Sequence, residues 1–407
     1  MTLLDLEIGP VAHGGHCVAR HEGRVVFVRH TLPGERVRAR LTEAGESAGY
    51  WRADAVEVLE ASPDRVPSPW PEAGPGGVGG GELGHVALPA QRAWKAAVLA
   101  EQLRRLARLD LAPEVEPVPG EHPEGLAWRT RIDLVADASG RAGMHRHRSH
   151  DVVALSAMPL ATEEVDAPGL LTRRWPAGAR ITAVAPASDR PLVLVDGVPW
   201  TAVGPDRRPT ARVAVRETVR VGERTYRWRV AGAGFWQVHR EAPATLVGAV
   251  LDAVGDVTGG RVLDLYSGAG LLTLPLADAV GPTGSVTAVE GDPRAVRDAR
   301  RNLHDHPQVS LHLGAVHQVL PDLGGPRPDA VVLDPPRVGA GRPVVDAVAA
   351  TGAATVVYVA CDPAALARDV ALFAGHGYHL TGLRAFDLFP LTHHVEAVAL
   401  LTRGGGE

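Results

Sequence analysis

Three side chains in the C-terminal third of the sequence have the types that covalent catalysis requires. Cys361 and Asp334 each follow an apolar run, and Glu396 lies between apolar neighbours. We predict that a helix begins directly after Cys361, and a helix N-terminus lowers the pKa of a thiol from about 8.5. A free cysteine is more often buried and inert, but this position favours a reactive thiolate.

The chemistry that suits a thiol beside carboxylates is methylation of an electron-poor ring carbon. Carbon 5 of uracil is too weak a nucleophile to take a methyl group directly, whereas addition of a thiolate at carbon 6 makes carbon 5 nucleophilic. A base must then remove the proton from carbon 5 so that the thiol can be eliminated. We therefore predict Cys361 as the nucleophile and Glu396 as the base, with burial raising the pKa of Glu396.

A glycine-containing turn and an acidic residue predict a site for an adenosyl ligand. The segment from Asp264 to Gly270 reads DLYSGAG after an apolar run, and Glu290 ends the next such run. Glycines such as Gly268 and Gly270 let the backbone approach a ligand, and an acid at a strand end accepts hydrogen bonds from ribose hydroxyls. The turn lacks the third glycine of dinucleotide-binding loops, so S-adenosylmethionine fits better than NAD.

These residues belong to alternating strands and helices that begin at about residue 232. We predict strands at 261–265, 285–290, 330–333 and 355–360, and helices at 242–254, 271–280, 293–303 and 364–374. Such alternation indicates a parallel sheet with helices on both faces, in which ligands bind at the carboxyl ends of the strands. Each segment described above lies at such an end.

The rest of the chain is predicted to form smaller β-rich units. Short alternating runs with Gly and Pro turns indicate a small β-barrel at the N-terminus. A Gly- and Pro-rich stretch without periodicity is predicted as an irregular linker, and a helix near 91–109 precedes a second β-rich unit. The predicted boundaries are 1–62 for the barrel, 63–89 for the linker, 90–231 for the central domain and 232–407 for the class I (Rossmann-like) α/β domain.

The composition of the 407-residue chain excludes several other classes of protein. A net charge of −5 argues against nonspecific coating of nucleic acid, although it allows a local basic groove. The two cysteines, Cys17 and Cys361, lie in unrelated contexts and predict neither a disulfide framework nor a metal site. No apolar run approaches the roughly 18 residues of a membrane span, and no export signal is visible. We expect a cytoplasmic monomer without membrane contacts.

Five motifs occur in an order that is typical of one protein family. DLYSGAG, VEGDP, LDPPR, YVACDP and FPLTHHVE resemble, in this order, the motifs of the RNA (uracil-5-)-methyltransferases that modify transfer and ribosomal RNA. The segment TLPGERV, around Gly34 and Glu35, resembles the OB-like TRAM barrel, an RNA-binding module of one branch of that family. WRTR and GMHRHR resemble the start of the family's central RNA-binding domain, and FWQV resembles the segment ahead of its catalytic core.

The resemblance implies roles for individual residues. Cys361 would be the nucleophile and Glu396 the base, and Arg337 would lie near the reacting uracil together with Asp334. The residues implied in binding S-adenosylmethionine are Gln237, Tyr266, Gly268, Gly270, Glu290 and Asp334. The implied product is 5-methyluridine in structured RNA, and the TRAM segment favours 23S ribosomal RNA over transfer RNA.

The sequence departs from this family at an iron–sulfur cluster, which many members bind through four cysteines. The corresponding positions here are Trp70, Val78, Gly81 and Met158. These side chains cannot ligate iron, so we expect no cluster. Asp362 replaces the family's usual Asn after the nucleophile, and Ala315 stands where an acid that contacts adenine is expected.

Basic residues of the predicted central domain are candidate RNA contacts. They are Arg129, Arg131, Arg146 and Arg148, with His145, His147 and His150 between and after them. Such side chains track phosphates, and a uridine in a loop or bulge leaves its stack most easily. The barrel is remote in sequence from every catalytic motif, so we expect it to supply RNA affinity rather than chemistry.

Two other classes of function remain open from the residues alone. A nitrogen methyltransferase would use Asp334 and its two prolines, but it would leave Cys361 and Glu396 without a role and would typically have an aromatic residue in place of Arg337. A non-catalytic RNA-binding or folding factor could keep the scaffold. The joint presence of Cys361, Asp334 and Glu396 speaks against it.

Overall fold

The N-terminal region is a six-stranded β-barrel. The computed structural model describes residues 2–45, 48–166 and 168–404 of the chain. The barrel strands are β1 (Leu3–Glu7), β2 (Val11–Ala12), β3 (His16–His21), β4 (Arg24–Arg29), β5 (Arg36–Glu43) and β6 (Tyr50–Glu60). Their order is β1-β5-β6-β4-β3-β2, and β1 meets β3 where Gly9 N donates to Val18 O at 2.8 Å. The barrel thereby leaves few open backbone groups at its edges.

The Gly34-Glu35 motif holds the barrel to the segment that follows it. Gly34 takes a φ of 82° in the turn before β5, and Glu35 is buried. The Glu35 carboxylate accepts from Leu32 N at 2.8 Å and from Arg65 Nε at 2.6 Å. The motif therefore has a structural role in this barrel.

Residues 63–89, predicted as an irregular linker, are irregular but tightly packed. They contain a 3₁₀ turn at Pro71–Ala73, and Trp70, Val78 and Leu83 are buried. An isolated backbone bridge joins Val78 to Arg146 of the next region. The apolar residues among the glycines turn this stretch into a connection between two cores rather than a free tether.

The next helix belongs to two cores. It is α1 (Leu88–Gln102), which continues as a π-helical turn at Leu103–Ala107 and leads to β7 (Val115–Glu116). Trp94 of α1 packs in the barrel core, whereas Leu99 packs against the C-terminal sheet. The predicted central domain, 90–231, thus begins with a helix that packs against both of its neighbours.

The central region is antiparallel. It contains β8 (Arg131–Ala136), β9 (Ala142–His145), β10 (Val152–Ala154), α2 (Glu163–Asp166), β11 (Arg180–Val184), β12 (Leu192–Val195), β13 (Val198–Thr201) and β14 (Gly204–Pro205). The sheet order is β10-β9-β8-β11-β12-β13-β14. A separate ribbon of β15 (Ala214–Val221) and β16 (Arg224–Ala231) packs against the C-terminal region through Trp228.

The C-terminal region is the predicted doubly wound α/β fold. Its elements are α3 (Ala242–Val254), β17 (Arg261–Leu265), α4 (Thr273–Val280), β18 (Ser285–Glu290), α5 (Pro293–Asn302), β19 (Val309–Leu313), α6 (Val316–Val319), a 3₁₀ turn (Leu320–Asp322), β20 (Ala330–Leu333), α7 (Gly341–Ala350), β21 (Thr355–Ala360), α8 (Pro363–Ala374), β22 (Tyr378–Phe386) and β23 (Glu396–Arg403). The sheet order is β19-β18-β17-β20-β21-β23-β22-β7, with β19 to β21 parallel and β23 antiparallel to both neighbours. Apolar cores lie on both faces of this sheet.

The predicted bounds of β17, β18, β20 and β21 match the structure, and the four predicted helices agree to within two residues. β19, α7 and β22 have no counterpart in the sequence prediction. β19 and β22 carry polar side chains and lie nearer the ends of the sheet, so they lack the apolar run that marks a buried strand. Within the described residues, no helix is both long and apolar enough to span a membrane.

Candidate active site

The strand order reverses between β17 and β20, and in such sheets a ligand-binding crevice lies outside the carboxyl ends of the strands. The turn after β17 contains Tyr266, with a φ of 64°, and the glycines Gly268 and Gly270, with φ of 57° and 90°. A Cβ at Gly268 would meet no atom within 4 Å, so this backbone faces open space. A bulky residue such as Tyr266 rarely adopts positive φ, and strain of this kind clusters at ligand-binding turns.

Glu290 ends β18 beside this turn, and two backbone N–H groups hold its carboxylate. Gly268 N donates to one oxygen at 2.8 Å and Asp292 N to the other at 2.6 Å. Each oxygen keeps a lone pair for a further donor. Nearby, Asp264 Oδ1 and Ser267 Oγ are buried and have no hydrogen-bond partner among the residues described. These groups suit a ligand with hydroxyl groups, such as the ribose of an adenosyl compound.

Two further positions bear on cofactor binding: Gln237 is a predicted contact, and Ala315 stands where an acid that contacts adenine is expected. Gln237 is buried, and the ring of the preceding Trp236 lies 5.4 Å from that of Trp228. The indole N–H of Trp228 donates to the Gly270 carbonyl at 2.9 Å, so the segment with Gln237 is anchored to the glycine turn. Ala315 is the N-cap residue of α6 and has no side chain that could cap the helix. The acid that the family resemblance implies at this position is therefore absent.

Two carboxyl groups, those of the buried Asp264 and the half-buried Asp334, lie near the carboxyl ends of β17 and β20. Asp334 follows β20, and Asp264 lies within β17, where it accepts a hydrogen bond from Thr273. Burial raises the pKa of each to about 7. The charge of Asp264 raises the pKa of Asp334 further. The hydrogen bond from Thr273 lowers the pKa of Asp264, whereas the charge of Glu290 raises it. Both carboxyls can therefore exchange a proton near neutral pH.

The pairing of β21 with β23 brings Cys361 and Glu396 together. Ala360, the last residue of β21, pairs with Ala397 of β23. Cys361 follows Ala360 and Glu396 precedes Ala397, so in this antiparallel pair the two residues lie at the same end, opposite each other. The charges of Glu396 and Asp334 both act on the pKa of Cys361. The three predicted reacting groups thus share one end of the sheet.

The thiol of Cys361 differs from the sequence-based expectation. α8 begins at Pro363, and its N-cap is Asp362, which accepts from Ala365 N at 2.8 Å. The helix N-terminus is therefore present, yet burial raises the pKa of Cys361 to about 12, and the carboxylates of Glu396 and Asp334 add to this shift. The prediction of a lowered thiol pKa is wrong for the substrate-free protein, because desolvation and negative charge outweigh the helix.

Arg337 is the cation that opposes these effects. Glu396 is only 4% exposed, and burial and the Asp334 charge raise its pKa well above the usual range. Arg337 lowers the pKa of both Glu396 and Cys361. Since its guanidinium is exposed, it is also available to an incoming substrate.

The predicted RNA contacts fall into two places. Arg129 approaches the crevice: its guanidinium stacks on Trp128 at 5.2 Å, its Nε has no partner among the described residues, and burial and the charge of Arg337 lower its pKa. Arg131 is buried, donates to Gly234 O at 3.0 Å and pairs with Glu217 at 3.5 Å. Arg131 therefore has a structural role in joining the central sheet to β15, and its predicted contact with RNA phosphates stays a prediction.

Arg146 and Arg148 are exposed, but each is attached to another region. Arg146 donates to the Gly76 carbonyl of the 63–89 segment, and Arg148 pairs with Glu43 at the end of β5. They therefore line the junction of barrel, connecting segment and central sheet. Surface pairs of this kind are weak, so RNA phosphates can compete for them.

A cleft of about 730 Å³ lies between the central sheet and the C-terminal region. Its basic lining residues are Arg129, Arg131, Arg180 and Arg294. Phe235 also lines it and is 75% exposed, which is unusual for an aromatic side chain. In the sequence, Phe235 is part of the FWQV motif, and no separate role is predicted for it. Its place between glycines and Trp236 was the available signal of an exposed ring.

A loop of the barrel contacts the catalytic motifs, and the sequence does not predict this contact. His13 Nε2 lies 3.1 Å from Asp362 Oδ2, next to Cys361. A Cβ on Gly15 would come within 3.3 Å of the His393 side chain, in the FPLTHHVE motif. Long-range contacts of this kind leave no local pattern in a sequence.

Glu82, His393 and His394 form the only group of potential metal ligands found in the described ranges. Their ligand atoms lie within 4.8 Å of one another, although the sequence predicts no metal site. His393 Nδ1 is hydrogen-bonded to Glu82, and Gly80 N donates to the same carboxylate at 3.1 Å. Glu82 and His393 are therefore already hydrogen-bonded to each other.

The four positions that correspond to cluster cysteines meet in one apolar core. Trp70 is 2% exposed there, Val78 is buried, and Met158 packs against them. A Cβ on Gly81 would lie 2.9 Å from the Trp70 ring. The indole fills the space between these positions and no thiol is present, so the residues do not fit an iron–sulfur cluster.

A doubly wound sheet with this crevice, preceded by a β-barrel, defines an α/β methyltransferase with an added nucleic-acid-binding module. Family models match the TRAM domain at residues 2–56, the methyltransferase small domain at 244–353 and the tRNA (uracil-5-)-methyltransferase at 322–404.

Relatives extend the match to the full chain. An RNA methyltransferase of Streptomyces coelicolor, described as uncharacterized, is 47% identical over 98% of this chain and 92% of its own length. A similar protein of Bifidobacterium longum is 41% identical over 99% and 97%. The chain belongs to this family of TRAM-containing RNA methyltransferases, which carries the uracil-5-methyltransferase domain.

One solved structure is similar over the entire fold. It is the tRNA (uracil-54, C5)-methyltransferase of Pyrococcus abyssi in complex with S-adenosyl-L-homocysteine, with a TM-score of 0.70 and 20% identity over 98% of this chain and 100% of that one. The similarity confirms the three-part architecture.

Proposed function

We propose that this protein transfers a methyl group from S-adenosylmethionine to carbon 5 of a uridine in structured RNA. The observation that carries the proposal is the β21–β23 pairing, which puts Cys361 and Glu396 side by side at the crevice. A nitrogen methyltransferase needs neither group. A non-catalytic RNA-binding factor has no use for a buried carboxyl beside a thiol.

In the proposed reaction the Cys361 thiolate adds to carbon 6 of uracil, and the electrons of the C5–C6 double bond shift to give an enolate. S-adenosylmethionine supplies the electrophilic methyl group to carbon 5. Glu396 then removes the proton from carbon 5, the double bond re-forms and the Cys361–C6 bond breaks. Cys361 leaves as thiolate, and Glu396 releases its proton to solvent before the next cycle.

The charges in the crevice suit these steps. Glu396 is a stronger base than an exposed carboxylate, because burial raises its pKa. Arg337 lowers the pKa of both Cys361 and Glu396, so its guanidinium favours the ionised forms that the reaction uses. Asp334, with a pKa of about 7, can carry a proton between the thiol and solvent.

We assign the methyl donor to the crevice at the switch point. The Glu290 lone pairs would accept the ribose hydroxyls, since the backbone already orients this carboxylate. The other residues that we propose to line the donor are Gln237, Tyr266, Gly268, Gly270 and Asp334.

The RNA would enter through the cleft beside Arg129 and Arg337. An exposed ring such as Phe235, in a cleft lined by four arginines and by Asp133 and Asp196, suits an unstacked base. We propose 23S ribosomal RNA as the substrate on the basis of the TRAM domain. Transfer RNA is the second candidate, because the model matched at residues 322–404 is named for tRNA.

Release of tritium from RNA labelled at carbon 5 of uridine tests the proposal. Ribosomal and transfer RNA from a strain lacking the gene are incubated with the protein and S-adenosylmethionine. We expect tritium in water from one of the two pools and none with Cys361→Ala. Methyl transfer without tritium release would mean nitrogen methylation, and no transfer to either pool would favour the binding factor.

A further inference from the structure

The loop between β2 and β3 of the barrel contacts both loops that carry the proposed reacting groups. His13 approaches Asp362, which directly follows Cys361. Gly15 lies over His393, three residues before Glu396, and over Glu82. One short loop of the barrel thus bridges the ends of β21 and β23 from outside the sheet.

The contact to Asp362 acts on the start of α8. One carboxylate oxygen of Asp362 caps the helix at Ala365 N, and the other lies 3.1 Å from His13 Nε2. The pair is only partly exposed, at 38% for His13 and 26% for Asp362. Asp362 is an acid, so it can form an ion pair with the barrel when His13 is protonated, and this contact raises the pKa of His13.

The contact at Gly15 leaves no room for a side chain. Its φ is 76°, and an added Cβ would lie 3.2 Å from the Glu82 side chain and 3.3 Å from that of His393. Glu82 and His393 are themselves hydrogen-bonded. The barrel backbone therefore packs directly on the pair that supports the loop before Glu396.

We infer that the His13–Gly15 loop of the barrel is a positioning element that aligns Cys361 and Glu396. The inference rests on the proposed function, which gives Cys361 and Glu396 their reacting roles. The contacts of His13 and Gly15 are present whatever the function is. His13 touches no reacting atom and acts through Asp362. The paired histidine also offsets the Asp362 charge, which otherwise raises the pKa of the Cys361 thiol.

Alkylation of Cys361 by iodoacetamide in the full-length protein, without RNA, tests the alignment. Cys17 is buried, and Cys361→Ala gives the background. We expect His13→Ala to slow alkylation about threefold to fivefold near neutral pH, where the raised pKa of His13 favours the charged imidazole, and to have a smaller effect in the alkaline range, where the imidazole is neutral. The control is His21→Ala, at the other end of β3, and it should match the wild type. In an Asp362→Asn background, His13→Ala should have no further effect.

Single-turnover methylation at saturating RNA gives the second readout. We expect His13→Ala to lower this rate by a similar factor, with RNA affinity unchanged and the melting temperature close to the wild-type value. His13→Gln, which keeps a donor to Asp362, should recover part of the rate. An alkylation rate near neutral pH and a saturating methylation rate that both match the wild type would overturn the inference. If no uridine is methylated at all, the proposed function fails, and the alkylation arm still decides the inference.

Discussion

The Cys361 thiol lies among three carboxylates and one guanidinium that act on it in opposite directions. Glu396, Asp334 and Asp362 raise its pKa after the larger effect of burial, and Arg337 lowers it. Burial and these carboxylates therefore favour the protonated thiol in the free protein, so we expect its alkylation to become faster as the pH rises.

Charge-neutral variants should shift this titration in opposite directions. Glu396→Gln removes a negative charge, so the pH midpoint of Cys361 alkylation should fall, whereas Arg337→Gln removes the opposing charge and should raise it. Alkylation rates measured across the alkaline range check both signs. Equal midpoints in the two variants would mean that these charges do not reach the thiol.

The two halves of the proposed reaction can be separated by the residues that perform them. Glu396→Gln should still form the Cys361–RNA bond and transfer the methyl group, but it should stall there because the carbon 5 proton remains. Denaturing gels should show a methyl-labelled protein–RNA species for this variant. Cys361→Ala and the double variant should show none. Wild-type turnover by Glu396→Gln would place the base elsewhere.

Among the elements, α1 is joined to the C-terminal region by a buried ion pair. Lys95, the single lysine of the sequence, is buried, and its ammonium lies 2.5 Å from Asp387 and 2.9 Å from the Phe389 carbonyl. Asp387 directly follows β22, and Phe389 begins the FPLTHHVE motif. The pair thus joins α1 to the segment that leads to the proposed base.

Removing one member of this pair should cost more than removing both. Lys95→Met leaves the buried Asp387 carboxylate with only the Arg92 guanidinium, 3.9 Å away, so we expect a loss of about 3 kcal/mol in the free energy of unfolding. Lys95→Met with Asp387→Leu should recover much of that loss, and urea unfolding measures both. A single variant as stable as the wild type would contradict the burial of the pair.

The connecting segment 63–89 supports a prediction about metal content. Because Trp70 fills the space between the four cysteine-equivalent positions, anaerobically purified protein should contain no stoichiometric iron or acid-labile sulfide. Treatment with a chelator should leave its melting temperature unchanged. Trp70→Ala should instead destabilise the protein by about 3–5 kcal/mol through the cavity it leaves.

At the scale of the whole molecule, the barrel is not a detachable module. Leu83, Val86, Trp94 and Val98, all outside residues 1–62, complete its apolar core. These contacts give the barrel a structural role, and the sequence-based expectation that its removal weakens RNA affinity more than the chemical step stays a prediction.

Deleting residues 1–62 should affect stability and chemistry together. The deletion exposes apolar side chains of α1 and removes the loop over Asp362, so we expect a lower melting temperature and a reduced single-turnover rate at saturating RNA. Calorimetry and rapid-quench methylation measure the two effects. A truncated protein with wild-type stability and rate, and weaker RNA binding only, would restore the simpler view of the barrel.

The sequence by itself determined the α/β class, the bounds of four buried strands and the residue types of the reacting groups. Buried parallel strands are continuous apolar runs, and their ends are marked by glycine, proline or an acid within a few residues. Cys361, Asp334 and Glu396 were recognisable because each directly adjoins such a run. This information is local, so it survives without coordinates.

Only the tertiary structure decided the electrostatic state of Cys361, the structural role of Arg131 and the contact between His13 and Asp362. Each depends on groups that are distant in the chain: Glu396 acts on Cys361, Glu217 engages Arg131, and His13 meets Asp362 across 349 positions. Burial and charge are summed over all neighbours in space, and the neighbours are set by packing of the barrel, central sheet and α/β region against one another.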